Sequence, residues 1–125
     1  MKSKIFLAMI LLAGLVMTGC YYDIVLPPDP NAPPLNVSFS GDLQPIFDAK
    51  CATSGCHTGG AHPPELTAGL SYNALMSGGY VNTTIPAESI LYKEVSSGSM
   101  PPTGKLPSLE IQMILDWIKI GAPNN

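Results

Sequence analysis

At 125 residues the chain has room for one small domain. Six lysines and no arginine stand against nine carboxylates, a formal charge of −3 that argues against nucleic acid as a partner and for basic or small neutral ones. Three cysteines, an odd number, give one of them a separate role.

Residues 1–19 are read as an export signal. Lys2 and Lys4 form a positive start, and the apolar run from Ile5 to Val16 is too short to make a comfortable permanent span. Its ending, Leu15-Val16-Met17-Thr18-Gly19-Cys20, resembles a bacterial lipobox, with Met17 where leucine is commoner. The resemblance implies that Cys20 is lipidated and becomes the new N-terminus. The alternative is an ordinary signal peptide with an unmodified Cys20. A lipidated Cys20 predicts an exported lipoprotein of the cell membrane or outer membrane, facing the periplasm or the cell surface. It also leaves Cys51 and Cys56 as a pair. Loss of residues 1–19 removes Lys2 and Lys4 and takes the formal charge from −3 to −5. Residues 20–38 then form a tether: Pro27, Pro28, Pro30, Pro33 and Pro34 interrupt any hydrophobic period and favour extended polyproline-like chain. At ~3.1 Å per residue it reaches roughly 50 Å from the lipid. Leu35 and Val37 leave open an arm that wraps on the domain instead.

The folded domain is expected over residues 39–125. Asp42 is a candidate N-cap, Pro45 falls in the first helical turn, and Leu43, Ile46 and Phe47 share one face. This predicts a short helix running into Cys51-Ala52-Thr53-Ser54-Gly55-Cys56-His57. Two nearby thiols with a histidine directly after the second are the attachment unit of a covalent c-type haem, usually written Cys-x-x-Cys-His. The thiols reach the vinyl groups as thioethers while the adjacent imidazole ligates the iron. Here four residues separate the cysteines. Gly55 at positive φ lets Ser54-Gly55 bulge outward as a turn and absorb the excess. Other uses of these residues are a short-loop Cys51–Cys56 disulfide, a zinc site that lacks ligands beyond His62, and a Cys-His nucleophile whose side chains diverge along the chain. His62 is expected in a solvated loop.

Beyond the motif, Tyr72 to Met76 and about Ala87 to Val95 have weaker helical patterns, separated by Gly78-Gly79 and Thr83-Thr84. Ser96-Ser97-Gly98-Ser99-Met100-Pro101-Pro102-Thr103-Gly104 then places one thioether among turn formers, on no helical face. Sulfur of this kind ligates haem iron opposite histidine, and the prolines stiffen the loop that carries it. An exposed loop methionine is the plain alternative. Met76 and Met113 fall within predicted helices as gap-filling core residues. The final helix, Leu109 to Ile120, follows Pro107-Ser108, carries Glu110 in its first turn and is closed by Gly121. Its face of Ile111, Ile114, Leu115 and Ile118, widened by Trp117, is expected to pack on the first helix. No alternating run supports a sheet. The fold class is all-α, about four short helices with long loops around one covalent haem, which supplies the apolar centre that so thin a core lacks.

From Phe39 to Ala122 this order of helices, Cys…Cys-His, Met-Pro-Pro loop and terminal Trp-Ile…Gly-Ala helix resembles the class I monohaem cytochromes c; the longer cysteine spacing departs from the family. The resemblance implies that Phe47, four residues before the first haem cysteine, meets Trp117. It also implies that a backbone carbonyl, from Pro63 or Pro64, takes the Nδ1 proton of His57. The expected function is electron transfer through haem c bound by Cys51 and Cys56, with His57 and Met100 on the iron. The partners would be redox proteins and, through Cys20, a membrane; no substrate is transformed. The alternatives are a haem-free lipoprotein module stapled by Cys51 and Cys56, or a haem sensor or peroxidase-like domain in which Met100 is displaced.

Overall fold

The structure of the protein, a computed structural model, describes residues 33–125. The signal segment 1–19, the lipidation of Cys20 and the tether as far as residue 32 lie outside the described residues. Among the described residues the fold is all-α. Helices α1 (Gln44–Lys50), α2 (Ser71–Ser77), α3 (Ile90–Ser97) and α4 (Ser108–Lys119) are joined by long loops, with no strands. A π-helical turn, Phe39–Leu43, runs directly into α1, and a 3₁₀ turn, Pro86–Glu88, precedes α3. None of these helices is long and apolar enough to cross a membrane.

The first helix starts earlier than Asp42. Ser38 is the cap: its Oγ accepts from the Gly41 amide at 3.1 Å, and Asp42 Oδ2 accepts from the Ser38 amide at 2.8 Å. Asp42 therefore acts from inside the turn, as the returning partner of a reciprocal cap. The ring of Pro45 has no N–H to give and crowds the carbonyl four residues back, and the turn ahead of it is widened, with the Gln44 amide bonded to the Phe39 carbonyl. The packed chain also reaches back beyond Phe39. Val37 is buried, and the Leu35 amide donates to Asp116 Oδ2 at 3.1 Å. Asp116 is itself buried on α4, where Gln112 Nε2 donates to Oδ1 at 2.7 Å. This end of the arm thus wraps on the domain.

The helix expected over Ala87–Val95 is divided at Ser89, whose φ of −57° and ψ of 132° are extended. Its buried Oγ accepts from the Asn82 amide at 2.9 Å, a bond that competes with helix at this position. Ser108 makes no side-chain cap on α4. The helix does end at Gly121, at φ +98°.

The core gathers residues of the π-helical turn, α1 and α4 with the fully buried Leu75 of α2 and with Leu91 and Val95 of α3, and α4 packs against the π-helical turn, α3 and the 3₁₀ turn. Phe39 is its pivot. Its ring centroid lies 5.2 Å from that of Trp117, 5.3 Å from Tyr72 and 6.0 Å from Phe47. The expected meeting of Phe47 with Trp117 is therefore relayed: Phe39 fills the space between them because the π-helical turn carries it inward ahead of α1. Such ring pairs add about 0.5–1.5 kcal/mol each beyond area burial. Trp117 Nε1 donates to the Pro123 carbonyl at 2.9 Å, so the indole is buried without an orphaned donor. Lys50, in the last turn of α1, reaches both carboxylate oxygens of Glu110, in the first turn of α4, at 2.7 Å. Both charges favour the helix ends on which they sit.

Candidate cofactor site

One cavity of about 870 Å³ opens beside this core. That is near the upper end of the roughly 300–1,000 Å³ common for cofactor pockets. Its lining comes from residues between Ala49 and Leu66, from α3, and from Met100 to Thr103, with Leu75 and Tyr80 between. Cys51, Cys56, His57 and Met100 all face into it.

The cysteine segment is built by short-range hydrogen bonds. The Cys51 and Ala52 amides both close on the Phe47 carbonyl at the end of α1, at 2.8 and 2.7 Å. The Cys56 amide then bonds the Thr53 carbonyl at 2.9 Å, a four-residue turn with Gly55 in third place at φ +79°. That is the sign a type II turn requires at this position. The extra residues between the cysteines are spent in this turn, which is exposed at Thr53, Ser54 and Gly55 and borders the cavity at Thr53 and Gly55. Behind it the His57 amide bonds the Cys51 carbonyl at 3.1 Å and draws the two ends of the motif together.

Three further contacts fix His57. Its carbonyl accepts the Leu66 amide at 2.8 Å. Its ring Nδ1 lies 3.0 Å from the Pro64 carbonyl and 3.2 Å from the His62 carbonyl. Both partners are pure acceptors, so in the neutral ring the proton belongs on Nδ1 and the lone pair on Nε2. An imidazole fixed in this tautomer is prepared to ligate a metal through Nε2. Of the two prolines named by the family resemblance, Pro64 is the one in contact.

Both thiols are free and half-buried. Burial, above all, pushes the Cys51 thiol up to about 11; the Glu110 carboxylate adds to the rise, Lys50 opposes it and Cys56 contributes last. A thiol held protonated at neutral pH is poorly suited to nucleophilic attack. Among the described residues no group of three or more His, Cys, Asp or Glu side chains could hold a metal ion. A porphyrin supplies four nitrogens of its own and needs only axial donors from the chain.

Met100 reaches the cavity from a looser loop. Its amide bonds the Glu94 carbonyl at 3.1 Å, the Gly104 amide bonds the Pro101 carbonyl at 3.2 Å, and the side chain remains 40% exposed. Met76 and Met113 do not line the cavity and pack against the core. His62 stays exposed at the cavity rim.

Two features of the site escaped sequence reasoning. Glu65 gathers backbone donors from the loop that follows His57, and Gln44 bonds the Leu66 carbonyl at 3.0 Å and the Ser71 hydroxyl at 2.5 Å, joining α1, that loop and α2. The only advance signal for Glu65 was its place after two prolines and a Gly-Gly pair. No family model, no curated protein and no solved structure matches the chain.

Proposed function

We propose that the protein is an electron carrier of the class I cytochrome c kind. Cys51 and Cys56 would hold one haem c by thioethers, and His57 Nε2 and Met100 Sδ would be its axial donors. The observation that carries this reading is the commitment of His57 Nδ1 to the Pro64 carbonyl at 3.0 Å, which leaves Nε2 available as a donor on a cavity that both thiols share. A bound haem supplies one-electron chemistry. The chain's own part is to fix the imidazole, to present a soft sulfur donor, and to keep water away with Leu66, Leu75, Leu91 and Val95. With His57 and Met100 both holding the iron, no position on it would be left for a substrate.

The test is a haem stain of the denatured protein, read with intact mass, after expression alongside a haem-ligation pathway. The expected result is haem that survives denaturation in the parent and is absent from the Cys51→Ala/Cys56→Ala variant. A colourless parent, or one with a Cys51–Cys56 disulfide, refutes the proposal. The lipobox-like segment supports a membrane anchor through Cys20, and the partners would be redox proteins. Cys20→Ser should move the protein to the soluble fraction or stall its processing without loss of haem; unchanged fractionation refutes the anchor.

One observation favours a second reading. Met100 is 40% exposed on a sparsely bonded loop, as suits a donor that a small ligand displaces in a sensor or peroxidase-like domain. Carbon monoxide binding to the reduced protein decides: uptake without change of Met100 supports displacement, and none supports the electron carrier.

A further inference from the structure

The loop from His57 to Thr67 closes on one carboxylate. Glu65 Oε2 accepts the Gly60 amide at 2.9 Å, and Oε1 accepts the Thr67 hydroxyl at 2.8 Å and the Thr67 amide at 3.3 Å. Gly59 and Gly60 take φ of +62° and +74°, left-handed values that turn neighbouring amides toward one anion. These contacts hold the Glu65 carboxyl below its ordinary range, the Gly60 amide first and the Thr67 hydroxyl next. The position of Glu65 matters as much as its partners. The carbonyl that takes the His57 Nδ1 proton belongs to the Pro64–Glu65 peptide, so whatever anchors Glu65 also anchors that acceptor.

We propose that Glu65 is a positioning residue for His57: by clipping Gly60 and Thr67 to the two sides of the loop, its carboxylate holds the Pro64 carbonyl on the Nδ1 proton and thereby sets the donor strength of Nε2. The proposal rests on the reading of His57 as an iron ligand and adds a control over it. A hydrogen bond from Nδ1 makes the imidazole a stronger donor and favours the ferric state. A slack clip weakens that bond, favours the ferrous state and raises the potential. Loss of Met100 acts in the reverse direction.

Two readouts on the full chain test this, with Glu65→Ala as the full deletion, Glu65→Gln as the neutral isostere and Thr67→Val as removal of one donor from the opposite side. In haem-free protein, nitrogen NMR of the His57 ring should show the Nδ1–H tautomer in the parent and a mixture of tautomers in Glu65→Ala, with Thr67→Val between. In haem-loaded protein, Glu65→Ala should shift the oxidised-to-reduced ratio at fixed potential roughly tenfold toward reduced, which is about 59 mV for one electron. An unchanged tautomer and potential overturn the proposal, and so does a lowered melting temperature with both readouts unmoved, which marks a merely structural clip. Should the parent bind no haem, the electron-carrier reading falls, and the tautomer measurement alone decides the role of Glu65.

Discussion

The two loops that bring donors to the cavity are built to different standards. The His57 loop ties its backbone to Cys51 and Leu66, its ring to Pro64 and its far side to Glu65, so the imidazole has one orientation and one tautomer. The Met100 loop has one bond to Glu94, the contacts of Ser99 with the Ser97 hydroxyl and one internal turn, and it leaves Met100 40% exposed. One wall is fixed and the other adjustable. Preorganisation of one ligand lowers the cost of binding a group there, while a loosely held second donor tunes it or yields to a competitor.

The largest expected effect comes from removing what both loops stand on. Phe39 touches Phe47, just ahead of Cys51, and Trp117 of α4, so Phe39→Ala should cost about 3–5 kcal/mol in denaturant unfolding. A loss within the range of surface substitutions would show that the two walls do not share this foundation. Next comes the turn that spends the extra motif residues. Gly55 has open space where a Cβ would sit but a φ of +79°, so Gly55→Ala should cost roughly 1–2 kcal/mol through backbone strain alone. It should also slow haem attachment at Cys51. An unchanged stability would mean that the turn adopts another form.

Met100→Ala should change stability less, because so much of the side chain is already in solvent, and should change the iron most plainly. On the proposed electron-carrier reading haem should stay attached, since Cys51, Cys56 and His57 are untouched, while the potential should fall and the near-infrared sulfur-to-iron band of the oxidised protein should disappear. Met76→Leu and Met113→Leu, volume-conserving swaps at positions packed against the core, should leave that band alone. Persistence of the band in Met100→Ala removes the looser wall from the site altogether.

What could be read in advance follows the range of the interactions. Helices α2 and α4 end just ahead of Gly78 and Gly121, and the Thr53–Cys56 turn forms where Ser54-Gly55 calls for it, because these are decided within a few residues. The Ser38 cap was obscured by a run, Ser38-Phe39-Ser40-Gly41-Asp42, in which several residues suit the role. Phe39 gave no helical period to mark it as the core pivot, and Phe47 alone was assigned the contact with Trp117. Glu65 and Asp116 were illegible for a different reason: beside the Thr67 hydroxyl and the Gln112 side chain, each carboxylate takes a backbone amide, of Gly60 and of Leu35, and amides have no letter in a sequence.

The smallest effect concerns the fixed wall itself. If Cys51 is held in it, its thiol should show the raised value of about 11 that burial, Glu110 and Cys56 produce against Lys50. A raised pKa means that the folded chain holds the proton more tightly than the unfolded one. This contribution to stability is complete below the ordinary value of 9.0 and is lost as the pH climbs from there towards 11. In haem-free protein with Cys56→Ser, alkylation of Cys51 near pH 8 should be about tenfold slower than in the urea-unfolded chain. The scarcity of thiolate outweighs the greater nucleophilicity of a more basic sulfur. Glu110→Gln removes the second cause of the rise and frees Lys50 to act on the thiolate, so it should speed the reaction; Lys50→Met should slow it. Equal rates in folded and unfolded protein would place Cys51 in solvent, and the contrast between a fixed wall and an adjustable one would then begin only at Cys56.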